Sequence, residues 1–285
     1  ASLQPARIGA GRGEAWVNAN NGERLGSREG FDPRGPSDKS VDVVRLESLD
    51  GRPIALLVNY ASHAEVMFRS TTRDGGYEVT GDLPGAVSSL LEAQPGGAPV
   101  VLYTAGAEGD QHTIFKSLQP AGRLPAADAG AAGWALLDAM SRRVASNVLD
   151  VTAQLEPGTS TVEIHTAKGT ATCPGQKLRV DQQTGKVTTE DRPPVDIPLA
   201  TLRINDIVLA GVGGDVGTEI GQHLKAESPF RHTTMVTMAG DPVGYLLTDA
   251  SYERPGHGIA GSPVKAGCAD QAVVGGLLKL LNVAH

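Results

Sequence analysis

The chain has 285 residues, 40% of them hydrophobic, 4% aromatic and 20% charged, with 25 basic and 32 acidic side chains and a formal net charge of −7. That length suffices for one large domain or two small ones; the hydrophobic content excludes general disorder and the low charge content excludes a coiled coil. An acidic chain whose nearest approach to a basic cluster is Ser141-Arg142-Arg143 lacks the grouped cations that track nucleic-acid phosphates, and no apolar run approaches the roughly 18 residues of a membrane span.

The segment to about Ser40 is rich in glycine, arginine and asparagine and shows no periodicity. Asp42–Glu47 and Pro53–Tyr60 are β-rich runs either side of Asp50-Gly51, a hairpin signal. A polar loop leads to Gly81, and Leu83–Glu92 reads as a helix with Asp82 as its cap and Pro84 in its first turn. Val100–Thr104 is a short buried strand running into the loop Ala105-Gly106-Ala107-Glu108-Gly109-Asp110. From Ala126 to Val148, Trp134, Leu137, Val144 and Val148 fall on one helical stripe.

Further on, Ser160–Thr166 and Leu178–Thr188 read as strands, the second turned by Thr184-Gly185, and the polar stretch Gly175–Asp196 as a surface excursion. Ile197–Ile204 and Ile207–Gly211 form a pair around Asn205-Asp206. Val216–Lys225 is helical, Thr233–Met238 a strand, and Asp270–Asn282 a closing helix weakened by Gly275-Gly276. Strands and helices alternate, which predicts an α/β fold with a mixed sheet flanked by helices.

Three kinds of chemistry are open to these segments. Gly211-Val212-Gly213-Gly214-Asp215-Val216-Gly217 follows a strand and opens a helix, as a phosphate loop does, but it lacks G-x-G-x-x-G spacing and puts a carboxylate where a pyrophosphate would sit. No G-x-S-x-G nucleophile elbow occurs; Ser262 is the nearest imitation. A metal site built from strand ends is the third: His63 follows an apolar strand, and Asp215 and Tyr245 adjoin short β-runs. An imidazole and a carboxylate are good zinc ligands, and a phenol serves once a cation lowers its pKa. Cys173 and Cys268, the only two cysteines, lie in loop-like contexts, either bridged in an exported protein or as two inert thiols.

Several of these segments resemble the neutral (non-lysosomal) ceramidases, a family of zinc amidases. Gly51-Arg52-Pro53-Ile54-Ala55-Leu56-Leu57-Val58-Asn59-Tyr60-Ala61-Ser62-His63 resembles the family's G-x-P-hydrophobic-N-F-A-x-H segment, whose histidine binds zinc. Val79-Thr80-Gly81-Asp82-Leu83-Pro84-Gly85 is similar to I-S-x-D-x-x-G, and Ala105–Asp110 to G-A-x-G-D. Gly213–Gly221 resembles P-G-E-x-x-T-x-x-G, whose glutamate binds zinc. Gly244-Tyr245-Leu246-Leu247-Thr248 with Tyr252-Glu253 resembles G-Y-I-x-T…Y-E, whose first tyrosine completes the metal shell.

The resemblance implies a zinc-dependent hydrolase acting on an amide (N-acyl) bond, with zinc held by His63, Asp215 and Tyr245. An esterase of the same fold, or an inactive lipid- or amide-binding module, is the alternative. It implies catalytic parts for Thr80, for Asp82, whose place as a helix cap is a sufficient alternative, and for His257, which falls where a ceramidase tyrosine polarises the substrate carbonyl. Asp215 stands for the family's glutamate and Gly81 for a serine, so ceramide itself is not the expected substrate.

The family takes a further zinc-binding histidine from an H-x-H motif in an amino-terminal half, and this sequence contains no H-x-H. The resemblance therefore makes residues 1–285 the carboxy-terminal half of a ceramidase-like catalytic domain, completed by an amino-terminal half or companion chain, with Ala1 reading as a processed end of a heterodimer. It also implies a secreted or periplasmic protein. The opening Ala1-Ser2-Leu3-Gln4-Pro5 has neither the charged nor the apolar region of a signal peptide.

Overall fold

The computed structural model describes residues 3–21, 32–70, 76–94, 99–119, 127–181, 187–253 and 257–283. The chain forms two compact units, one from residues 1–18, 39–104 and 113–162 and the other from 19–38, 105–112 and 163–285. Each is of mixed α/β architecture.

In the first unit, β1 (Ala6–Glu14), β2 (Ser40–Ser48), β3 (Pro53–Tyr60) and β4 (Val100–Ala105) make a sheet in the order β1-β2-β3-β4. The predicted Asp50-Gly51 hairpin joins β2 to β3: Gly51 takes φ 86°, a value glycine reaches without strain, and Ser48 N donates to Arg52 O at 2.9 Å. Helices α1 (Asp82–Glu92) and α2 (Gly133–Gln154) bury Leu83, Val87, Leu91, Leu137, Met140, Val144 and Val148 against Val41, Val43, Leu56, Val58 and Tyr60.

The opening segment, which shows no periodicity, contains strand β1. Its glycines are the reason: a Cβ on Gly11 would come within 2.9 Å of Val151 and Leu155, and one on Gly13 within 2.7 Å of Val151. The strand meets α2 with bare backbone, so no alternation of side chains marks it. Helix α2 begins and ends later than the stripe predicts, and Trp134 lies 40% exposed rather than in the core. The end of α2 is held by Arg45, whose guanidinium donates to Thr152 O at 2.8 Å and Glu156 O at 3.0 Å, satisfying carbonyls that a helix end leaves open.

The second unit is built on β5 (Ile164–Val180), β6 (Val187–Ile204), β7 (Ile207–Val212) and β9 (His232–Val236), in the order β9-β7-β6-β5. Two-residue pairs β8 (Asp215–Val216) and β10 (Tyr245–Leu246) lie beside α3 (Thr218–Glu227). Short helices α4 (Asp249–Tyr252) and α5 (His257–Ala260) precede α6 (Ala269–Val283). The predicted turn at Asn205-Asp206 joins β6 to β7, with Asn205 at φ 52°.

Two readings in this unit differ from the structure. The separate strands expected at Ser160–Thr166 and Leu178–Thr188 are the ends of the long arms β5 and β6, paired from Ile164↔Ile204 to Val180↔Val187 with a register shift between Arg192 and Val195. Pro174, Gly175, Pro193 and Pro194 punctuate the sequence there, but the bulge absorbs them. The Thr184-Gly185 turn lies outside the described residues. The closing helix expected at Asp270–Asn282 is α6, continuous through Gly275-Gly276. A Cβ on Gly276 would meet Leu199 Cδ1 at 2.5 Å, so the glycine lets helix and sheet approach. Cys173, on β5 rather than in a loop, is bridged to Cys268 with Cα atoms 5.8 Å apart, which resolves the thiol alternative.

Candidate metal centre

In the second unit β7 runs through Gly213-Gly214 into β8. Cβ atoms there would lie 2.7 Å from Pro198 and 2.5 Å from Leu246, and one on Gly217 would lie 2.8 Å from Leu247. The glycine-rich stretch is therefore a closely packed strand-to-helix passage, as its non-phosphate reading requires. Asp215 and Tyr245 face each other in the parallel β8–β10 register, with Asp215 N donating to Gly244 O and Gly217 N to Leu246 O, both at 2.9 Å. In-register side chains on neighbouring strands share a face, so the carboxylate and the phenol emerge together. The Tyr245 ring lies where a Cβ on Gly261 would approach within 2.7 Å.

The turn 105–110 is pressed onto β8. Gly109 N donates to Val216 O at 2.9 Å, and a Cβ on Gly109 would sit 2.9 Å from Asp215 O and 3.1 Å from Asp215 Oδ1. Ala107 packs against Gly221 of α3, whose Cβ would come within 2.5 Å. Asp110 accepts Thr218 N at 2.9 Å in the first turn of α3 and Asn20 Nδ2 at 3.0 Å, so it satisfies amides on both sides of the turn. The arrangement carries the Glu108 carboxylate to Asp215, each offering an oxygen within 4.8 Å of the other. Glu108 was not among the residues singled out from sequence. Its signal was a carboxylate at the variable position of the G-A-x-G-D turn, visible only once the turn is known to fold onto the Asp215 strand.

His63 belongs to the first unit, three residues beyond the end of β3. Buried Tyr60 anchors that end: its hydroxyl donates to Ala15 O at 2.7 Å and accepts Asn18 N at 3.1 Å and Val17 N at 3.2 Å. His63 O accepts Glu65 N at 3.1 Å, so the chain turns directly after the imidazole. Asp82 is 5% exposed and takes φ 47° as the first residue of α1. Its carboxylate accepts Leu83 N at 2.7 Å, Met67 N at 2.8 Å and Val66 N at 3.1 Å, and its own N–H donates to Thr80 Oγ1 at 3.0 Å. Thr80 is otherwise exposed. His257 opens α5, and its side chain lies outside the described residues. His112, read from sequence as solvent-facing, is buried beside Asn21 at 3.3 Å. Ser262 is buried and bonded to Tyr252 at 2.8 Å, with no exposure that a nucleophile needs.

The donor set fits a divalent cation. Two carboxylates this close repel each other, and a cation between them converts that repulsion into attraction. Their oxygens lie within 4.8 Å of each other, close enough for both to reach one cation. Carboxylate oxygens are donors of the type that zinc and other divalent cations accept.

Fold and strand-end carboxylates together define a mixed α/β protein with a candidate cation site. Among solved structures that fold is found in ceramidases. A ceramidase complexed with C2 superposes with a TM-score of 0.73 at 12% identity, over 97% of this chain and 53% of that one. The neutral ceramidase from Pseudomonas aeruginosa gives 0.68 at 13% identity, over 99% and 52%. The chain has a ceramidase-like fold and spans about half the length of either structure. No protein-family model and no curated protein matches the sequence. Among the described residues no helix is long and apolar enough to cross a membrane.

Proposed function

We propose that the chain is part of a zinc-dependent hydrolase that cleaves an amide (N-acyl) bond. The observation that carries this reading is the Glu108–Asp215 carboxylate pair, with Tyr245 in register beside it, in a ceramidase-like fold. For the nitrogen ligand the reading takes His63, supported by the strand-to-histidine segment that resembles the ceramidase motif. Glu108 supplies the reach that Asp215, one methylene shorter than the family's glutamate, lacks. Bound zinc would supply Lewis acidity and lower the pKa of a water towards neutrality.

Within the site, Tyr245 orients against Asp215 and His257 donates a hydrogen bond to the developing oxyanion of the substrate carbonyl. A further histidine comes from residues outside this sequence, an amino-terminal half or companion chain, because the sequence holds no H-x-H; residues 1–285 are then one portion of a catalytic domain. The substrate differs from ceramide, given Asp215 and Gly81 at two motif positions. The Cys173–Cys268 bridge supports an oxidising compartment, the periplasm or the medium.

The test is metal analysis and substrate turnover on protein isolated under native conditions from its source, with any companion polypeptide retained. One zinc per complex and hydrolysis of N-acyl amides is the expected result, with Glu108→Gln and Asp215→Asn each weakening zinc binding. Turnover confined to matched esters would move the assignment to an esterase, ligand binding without turnover to a binding module, and absence of zinc would overturn the metal reading.

A further inference from the structure

Two of the residues that the sequence marks for catalysis, Thr80 and Asp82, are bonded to each other and to backbone rather than standing free. Asp82 is nearly buried, and its two carboxylate oxygens receive three N–H groups: its own helix's Leu83, and Val66 and Met67 from the chain that leaves His63. That chain is a succession of turns. His63 O accepts Glu65 N, Glu65 O accepts Phe68 N at 3.4 Å, and Met67 O accepts Ser70 N at 3.0 Å. No regular element spans it, so the two bonds to Asp82 tie it to α1.

The backbone at Asp82 is bent to make those bonds. A φ of 47° lies in the left-handed region, where a non-glycine residue is uncommon and strained. Thr80 Oγ1 holds the Asp82 N–H in that conformation. Hydrogen bonds from backbone amides to a carboxylate are stronger than those to a neutral acceptor.

We infer that Asp82 is a positioning residue: through Val66 and Met67 it fixes the turn that aims the His63 imidazole, with Thr80 holding Asp82 in place. The inference rests on the proposal that His63 binds the metal. Groups that orient a metal ligand from behind alter affinity without touching the ion, and Asp82 does so through backbone amides instead of through the imidazole ring.

The test is Asp82→Asn in the full chain, which keeps one acceptor oxygen and turns the other into an NH2 facing a backbone N–H. In the metal-free protein the His63 ring resonances are expected to shift and broaden by NMR, with faster hydrogen exchange at Val66 and Met67. Zinc affinity, read by competition with a chromophoric chelator, is expected to fall by about 10- to 100-fold. Glu92→Ala is the stability control: Glu92 accepts Val101 N at 3.0 Å in the same unit, and its loss should lower the thermal midpoint without moving His63. Thr80→Ala is the gentler second variant, expected to give the Asp82→Asn pattern at smaller amplitude should Asp82→Asn fail to fold. His63 resonances that stay in place, or move no more than in Glu92→Ala, overturn the inference. A wild-type protein that takes up no zinc while Asp82→Asn still displaces His63 overturns the metal reading and leaves the positioning intact.

Discussion

Replacing Gly109 by alanine tests how tightly the turn 105–110 is fitted to the strand that bears Asp215. The added Cβ would lie 2.9 Å from Asp215 O and 3.0 Å from Val216 C, both backbone atoms. That strand cannot retreat freely, because Asp215 N and Gly217 N are bonded to Gly244 O and Leu246 O at 2.9 Å. Overpacking of this kind destabilises by about 1–3 kcal/mol. Gly85, inside α1 with nothing within 4 Å of its Cβ position, is the matched control, where alanine should gain roughly 0.5–1 kcal/mol of helix propensity. Urea denaturation should separate the two variants by about 1.5–4 kcal/mol. The same Cβ would sit 3.1 Å from Asp215 Oδ1, so Gly109→Ala should also weaken zinc uptake while Gly85→Ala leaves it unchanged. Wild-type stability and wild-type zinc affinity in Gly109→Ala would refute the reasoning, since the turn would then not be in contact with the strand.

Three further outcomes follow from single contacts. Converting Cys173 and Cys268 to serine removes a bridge across a separation of 95 residues; the chain-entropy model gives a loss of about 4.7 kcal/mol in urea unfolding, and two free thiols by mass spectrometry of unreduced protein would contradict the bridge. Asp270 and then Glu227, at 2.8 and 3.0 Å, raise the pKa of His223 above its ordinary 6.5. The folded state thus binds that proton more tightly than the unfolded chain. The stabilisation is complete below pH 6.5 and is lost as pH rises through the raised folded value, and His223→Gln should abolish that slope in a series of unfolding curves. Tyr60→Phe leaves Ala15 O without its buried donor and should cost about 1–3 kcal/mol, measured by thermal unfolding; a neutral effect would mean that the β3 end is anchored elsewhere.

The elements with strong local signals were legible. Asp50-Gly51 and Asn205-Asp206 encode turns through backbone preferences carried by two residues, and Leu137, Val144 and Val148 mark a helix face by spacing alone. Strand β1 and the middle of the arms β5 and β6 were not legible, because glycine and proline there answer to partners far along the chain. Gly11 and Gly13 make room for Val151, and Gly276 for Leu199. A glycine that admits a neighbour looks, in a linear text, like one that breaks an element.

The candidate site divides along the same line. Sequence by itself offered candidate donors in the order His63, Asp215, Tyr245, because imidazole, carboxylate and phenol chemistry belongs to the residue and not to its surroundings. It also determined that strand ends carry them, since each follows or adjoins a β-run. Only tertiary structure decided which carboxylates meet. Glu108 joins Asp215 because a turn 107 residues earlier in the chain is pressed flat onto β8 through Gly109. It likewise decided that Asp82 accepts backbone amides, a role set by the left-handed bend at the start of α1 and by the turn beyond His63. Contact between distant segments is a property of how surfaces pack, and packing is written in no single stretch of the chain.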